Sequence, residues 1–105
     1  MTGPDLDLPA MQGAAERACR LLKALSNPDR LMVLCRLSQG ELTVGEIEAA
    51  LGIRQPTLSQ QLTVLREHGL VATRREGKNI HYRLAGDDAM AVIRVLYERY
   101  CPRGA

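Results

Sequence analysis

The chain has 105 residues, room for one domain and not for two. Hydrophobic residues make up 46% and charged residues 25%, a globular balance that excludes a disordered tail or a fibre. The longest uncharged stretch, Gln55 to Leu65, is too short and polar to span a membrane. The opening MTGPDLDLPA lacks the basic cluster and apolar run of a signal peptide, so the expected location is cytoplasmic.

The net charge of +2 is unevenly spread. Between Arg54 and Arg83 lie six bases (Arg54, Arg66, Arg74, Arg75, Lys78, Arg83) against Glu67 and Glu76, a net of +4, while the rest of the chain nets −2. Such a stretch fits a polyanion bound on one surface, or merely a solvated basic face. Aromatic residues are only Tyr82, Tyr97 and Tyr100. Binders of single-stranded nucleic acid need stacking platforms, so that class is disfavoured.

The first nine residues read as a flexible segment, residues 10–102 as a single domain, and residues 103–105 as a tail. From Ala10 to Leu25, Ala14, Ala15, Ala18, Cys19, Leu21, Leu22 and Leu25 recur at helical spacing. The next helix starts at SNPDR, with Asn27 as N-cap, Pro28 at its first position and Asp29 beside its positive end. Leu31, Leu34, Cys35 and Leu37 or Ser38 form its inner stripe, and Gly40 ends it. A third helix opens on a Thr-x-x-Glu capping box, Thr43 and Glu46, and stops at Gly52. Pro56 marks the first turn of a fourth, lined by Leu58, Leu62 and Leu65 and closed by Gly69. Two short helices joined by a tight Gly-containing turn make a helix-turn-helix.

The period then changes from 3.6 to 2. LVATRR and IHYRL predict strands, with Ile80, Tyr82 and Leu84 on one face, His81 and Arg83 on the other, and EGKN as connector. A final helix spans about Asp87 to Cys101, with Met90, Ile93, Leu96, Tyr97 and Tyr100 as its apolar side. The expected fold is mostly α, in the order ααααββα. It is a winged helix-turn-helix with an extra apolar helix at each end.

The leucine stripe of the fourth helix turns Thr57, Gln60 and Thr63 outward, with Ser59 and Gln61 on the flanks and Gln55 just before it. Hydroxyls and amides there can reach base edges and phosphates in a major groove; a merely solvated face is the plainer alternative. Arg74, Arg75, Lys78 and Arg83 would contact phosphates or the minor groove, adding affinity more than sequence information.

The segments ALSNPDRLMVLCRL, VGEIEAALGIRQPTLSQQLTVLREHGLV and RREGKNIHYRL resemble the ArsR family of bacterial repressors, over roughly Ala18 to Pro102. The resemblance implies a homodimer whose first and last helices form the interface, bound to a palindromic operator. It implies DNA contacts from the positions of Thr57, Ser59, Gln60 and Gln61, although many members carry His where this chain has Gln61. Metal sensors of the family often place Cys-x-Cys on the third helix or an Asp/His set on the last. Here TVGEIEAAL has no Cys, and the last helix has Asp87 and Asp88 but no His. His68 and His81 are not spaced with a cysteine as a zinc site requires, so no metal or other cofactor is expected.

Three cysteines remain, Cys19, Cys35 and Cys101. An odd count argues against a structural disulfide framework, and the missing Cys-x-x-Cys argues against a thiol-transfer enzyme. Cys19 reads as ordinary packing on an apolar stripe. LMVLCRL and LYERYCP resemble the persulfide-sensing subgroup of the family, in which a second-helix and a last-helix cysteine couple when reactive sulfur species are present. That resemblance implies that Cys35 and Cys101 are the sensing pair. A sensor of peroxide or disulfide stress, or a repressor without an inducer, is the alternative.

Overall fold

The starts of the first four helices are each tied down by a side chain, whereas the last helix begins after Gly86 with no side-chain cap. In the computed structural model, which describes residues 7–101, Asp7 accepts a 2.7 Å hydrogen bond from the Ala10 amide. Helix α1 therefore begins at Leu8, two residues earlier than periodicity alone predicts, and runs to Leu25 with Pro9 in its first turn. Residues 1–6 of the expected flexible segment, Pro102 and the expected tail lie outside the described residues. Asn27 caps α2 (Pro28–Leu37) through the Arg30 amide at 3.0 Å. The capping box opens α3 (Val44–Leu51): the Glu46 amide donates to Thr43 Oγ1 at 3.2 Å, and the Thr43 amide donates to Glu46 Oε1 at 2.8 Å. Those bonds hold the Glu46 carboxyl below the usual carboxylate range.

Gly52, at φ 69°, ends α3 in the left-handed region that suits glycine. Helix α4 spans Thr57–Glu67, so Pro56 precedes the helix rather than lying in its first turn. The Pro56 position offers no side-chain cap. Gln55 supplies one instead, its Oε1 accepting from the Ser59 amide at 3.0 Å.

Among the described residues three strands accompany the helices: β1 (Leu42–Thr43), β2 (Val71–Glu76) and β3 (Asn79–Leu84), in the antiparallel order β1-β3-β2. The two longer strands are the expected hairpin, but the four-residue connector shrinks to Gly77–Lys78, with Gly77 at φ 62° and Glu76 paired to Asn79. Strand β1 escapes a periodicity reading because two residues carry no period. It pairs Leu42 with Tyr82 and Thr43 with His81. Tyr82 is buried and Leu84 half-buried, whereas Ile80 shares their face but stands exposed near the hairpin tip, beyond the core.

Helix α5 spans Asp87–Tyr100. The core is centred on α2, which packs on α1, α3, α4, α5 and β3. Val33, Leu34, Ile47, Leu58, Leu65 and Ile93 are fully buried, each worth about 1.5–3 kcal/mol against exposure. A helix surrounded on several sides buries more than one stripe. Val33 is therefore interior although the expected stripe omitted it, while Leu31 and Cys35 are only half-buried. The opposite holds for α1, which packs on α2 and buries only Ala24 and Leu25 at its end. Cys19, expected as packing, is exposed. The element order is otherwise the expected winged helix-turn-helix with an added helix at each end.

Candidate nucleic-acid interface and thiol cavity

Leu58, Leu62 and Leu65 anchor α4 on the core, which leaves Thr57, Ser59, Gln60 and Thr63 exposed and Gln61 half-buried at the edge. Local hydrogen bonds then divide these residues. The Ser59 hydroxyl and amide both donate to Gln55 Oε1, and the Thr63 hydroxyl donates to the Ser59 carbonyl at 2.9 Å. Gln61 Oε1 accepts from Arg30 Nη1 at 3.0 Å. Among the described residues, Thr57 and Gln60 have no such side-chain partner. Gln60, with an amide that can donate and accept side by side, is thus left free for a partner outside the chain.

Arg30 is a residue that sequence reasoning passed over. Its Nε donates to the Ala24 carbonyl at 2.7 Å and its Nη2 to the Lys23 carbonyl at 3.2 Å, while Nη1 holds Gln61. One guanidinium thus ties the C-terminal end of α1 to α4 across the start of α2. The signal was present in SNPDR, but a residue in the first turn of a helix usually reads as capping chemistry. A guanidinium's reach of several ångströms is invisible to local pattern.

The wing is less basic than its composition suggests. Arg74 Nε and Nη2 both lie 2.7 Å from Glu41 Oε1, and Nη1 meets Glu76. Both carboxyls are held below the usual range by the Arg74 hydrogen bond, and Arg74 is correspondingly more firmly protonated. Glu41 lies outside the basic stretch in sequence, and β1 carries it to the sheet edge beside His81 Nδ1 at 3.8 Å. Arg74 is therefore neutralised locally. Arg75, Lys78 and Arg83 are exposed with no ion-pair partner among the described residues.

On the other side of α2, a mostly apolar cavity of about 890 Å³ opens between α2 and α5. Cys35 and Cys101 both line it, with Leu31, Met32, Leu96 and Tyr97 among its walls. Both thiols are free and half-buried. Burial pushes the Cys35 thiol above its ordinary pKa, and Cys101 nearby raises it further, since two thiolates would repel. Cys101 is one residue past the last helical residue, its amide donating to the Tyr97 carbonyl at 3.0 Å. No group of three or more His, Cys, Asp or Glu side chains among the described residues is arranged to hold a metal ion.

Residues 27–73 match the family described as "Bacterial regulatory protein, arsR family". The chain is 58% identical over 97 residues to the biofilm growth-associated repressor of Agrobacterium fabrum, covering 92% of this chain and 83% of that protein. Its fold is similar to that of reduced HlyU from Vibrio cholerae, with a TM-score of 0.86 and 41% identity over 90% of this chain and 100% of that one. It also resembles the homodimeric winged helix-turn-helix DNA-binding domain Mb0332 of Mycobacterium bovis, with a TM-score of 0.70, 35% identity, and coverage of 100% and 97%.

Proposed function

The chain belongs to the ArsR family of bacterial regulatory proteins, as a transcriptional repressor of the type its relatives represent, and from that premise we propose that it is a dithiol sensor of reactive sulfur. In this reading a cytoplasmic homodimer binds a palindromic operator in its reduced state and releases it when Cys35 and Cys101 are bridged through sulfur. The observation that carries the reading is the shared cavity: two free thiols, from helices far apart in sequence, face one space.

The chemistry balances without another oxidant. A protein thiolate attacks the outer sulfur of an organic persulfide, the donor's S–S bond breaks, and the donor departs as a thiol. The second protein thiol then attacks the new persulfide, closing a disulfide and releasing hydrogen sulfide. Repeated transfer before closure inserts further sulfurs, each lengthening the bridge by about 2 Å of bond.

Dimerisation is supported by apolar residues that the single chain leaves uncovered. Leu8, Met11 and Leu22 on α1 and Val95 and Tyr100 on α5 are all exposed, on the two helices at the ends of the chain. DNA contact is assigned to Gln55, Thr57, Ser59, Gln60, Gln61 and Thr63 on and beside α4, and to Arg75, Lys78 and Arg83 on the wing. Arg74 contributes once released from Glu41.

The link from thiols to DNA runs through α2. Cys35 and Arg30 lie on this one helix, and Arg30 holds Gln61 on α4. Tying α2 to the end of α5 shifts the element that positions α4, so the two recognition helices of a dimer no longer match half-sites of fixed spacing. Mass spectrometry of the reduced protein after separate exposure to organic persulfide, peroxide and glutathione disulfide tests the assignment. A Cys35–Cys101 bridge with extra-sulfur mass increments from persulfide supports it. A bridge formed by peroxide alone contradicts the sulfur assignment.

A further inference from the structure

The thiol cavity has one feature that sulfur chemistry alone does not require. Among the described residues lining it, Arg36 is the only charged one, set among leucines, Met32 and two tyrosines. The residue is half-buried, and no described carboxylate lies within ion-pair distance of it. Glu46 is near enough to be drawn down slightly by Arg36, but its Oε1 is committed to the Thr43 amide. A guanidinium on the wall of an apolar cavity, without an ion-pair partner among the described residues, is an open fork for a carboxylate. The cavity's volume is that of a small-molecule site.

We infer that the inducer is an organic persulfide bearing a carboxylate, and that Arg36 is the specificity-determining residue that binds this carboxylate while the persulfide faces Cys35 and Cys101. The inference rests on the sulfur-sensing reading and narrows it. The donor's carbon skeleton lies against the apolar walls, and Arg36, next in sequence to Cys35, holds the charged end. Sulfur transfer then proceeds as above: the donor's S–S bond breaks, the outer sulfur passes to the protein thiolate, and the carboxylate-bearing thiol leaves with a proton. Arg36 contacts the donor and not the reacting sulfurs, so removing it alters the choice of donor and leaves the thiol chemistry available.

The test compares two donors that differ only in charge, N-acetylcysteine persulfide and the persulfide of its amide. The rate of Cys35–Cys101 bridging is measured on the full chain for wild type, R36M and R36K. Dividing the acid-to-amide rate ratio of wild type by that of R36M cancels the donors' intrinsic reactivity. The expected quotient is about five to ten, the size of a partly solvated charge-assisted contact, with R36K between the two. High salt should shrink the wild-type ratio, a check that needs no variant. A quotient near one, or a wild-type ratio indifferent to salt, overturns the role of Arg36 while leaving sulfur sensing intact. Absence of the bridge with both donors overturns the sensing reading and this inference with it.

Discussion

Replacing Arg30 by methionine removes the tie between α1 and α4 while keeping most of the side chain's bulk. Three hydrogen bonds are lost, to the carbonyls of Ala24 and Lys23 and to Gln61 Oε1, at 2.7, 3.2 and 3.0 Å. A hydrogen bond to a charged group contributes about 1.5–3 kcal/mol, but the Lys23 bond is exposed and counts for little. The other two are partly buried and share one guanidinium, so their contributions overlap rather than add. The expected loss is about 2–4 kcal/mol, which for a domain of this size lowers Tm by roughly 10–30 °C. Urea unfolding at fixed protein concentration is the appropriate assay, because the stability of the proposed dimer depends on that concentration. Gln61→Ala, which removes a single bond, should cost about 1 kcal/mol. Arg30→Lys should recover only part of the loss, since an ammonium cannot span the three acceptors as a planar fork does. A loss below about 0.5 kcal/mol for Arg30→Met with an unchanged m-value would refute the reasoning. So would a Gln61→Ala loss as large as that of Arg30→Met.

Glu41→Gln should free Arg74 from its stronger partner, tighten binding to random DNA and steepen the salt dependence by up to about one unit of slope. An unchanged slope would mean that Arg74 does not reach the backbone. Gln60→Ala should weaken operator binding by about 1–3 kcal/mol and random-sequence binding far less. Equal losses on the two DNAs would remove Gln60 from the base-reading set. Because burial and Cys101 raise the Cys35 pKa, the thiolate fraction is small at neutral pH. Alkylation of Cys35 by a neutral reagent should therefore climb about tenfold per pH unit and keep rising past the ordinary thiol value. A plateau below that value would contradict it, and Cys101→Ser should shift the profile toward lower pH.

Most of the fold was legible because it rests on local chemistry. Asn27, the Thr43–Glu46 box and Gly52 mark helix ends by hydrogen bonds within a few residues, and Leu58, Leu62 and Leu65 repeat at helical spacing. What escaped depends on contacts between distant segments. Strand β1 exists because Leu42 and Thr43 pair with β3, and that pairing delivers Glu41 to Arg74, a partner 33 residues away. Val33 is buried because α2 is enclosed on several sides, and Cys19 is exposed because α1 touches so little of its own domain. The two outward-facing classes on α4 were likewise indistinguishable by spacing. Only the bonds from Arg30 to Gln61, from Ser59 to Gln55 and from Thr63 to the Ser59 carbonyl separate engaged amides and hydroxyls from Gln60.

The thiol pair stands differently. Resemblance pointed to Cys35 and Cys101, and no spacing rule could have placed residues 35 and 101 in one cavity. Arg36 was overlooked in sequence because a basic residue in the last turn of a helix is expected there for the helix dipole alone.

The central claim is that DNA release requires both sulfurs of that cavity. It is tested most directly by titrating operator-bound wild type, Cys19→Ser, Cys35→Ser and Cys101→Ser with an organic persulfide and following release by fluorescence anisotropy. All four proteins should bind alike when reduced, since Cys→Ser changes little volume. Wild type and Cys19→Ser should release the operator as the Cys35–Cys101 bridge forms, while Cys35→Ser and Cys101→Ser should stay bound. Release from either of the last two at the wild-type persulfide concentration would contradict the two-thiol mechanism.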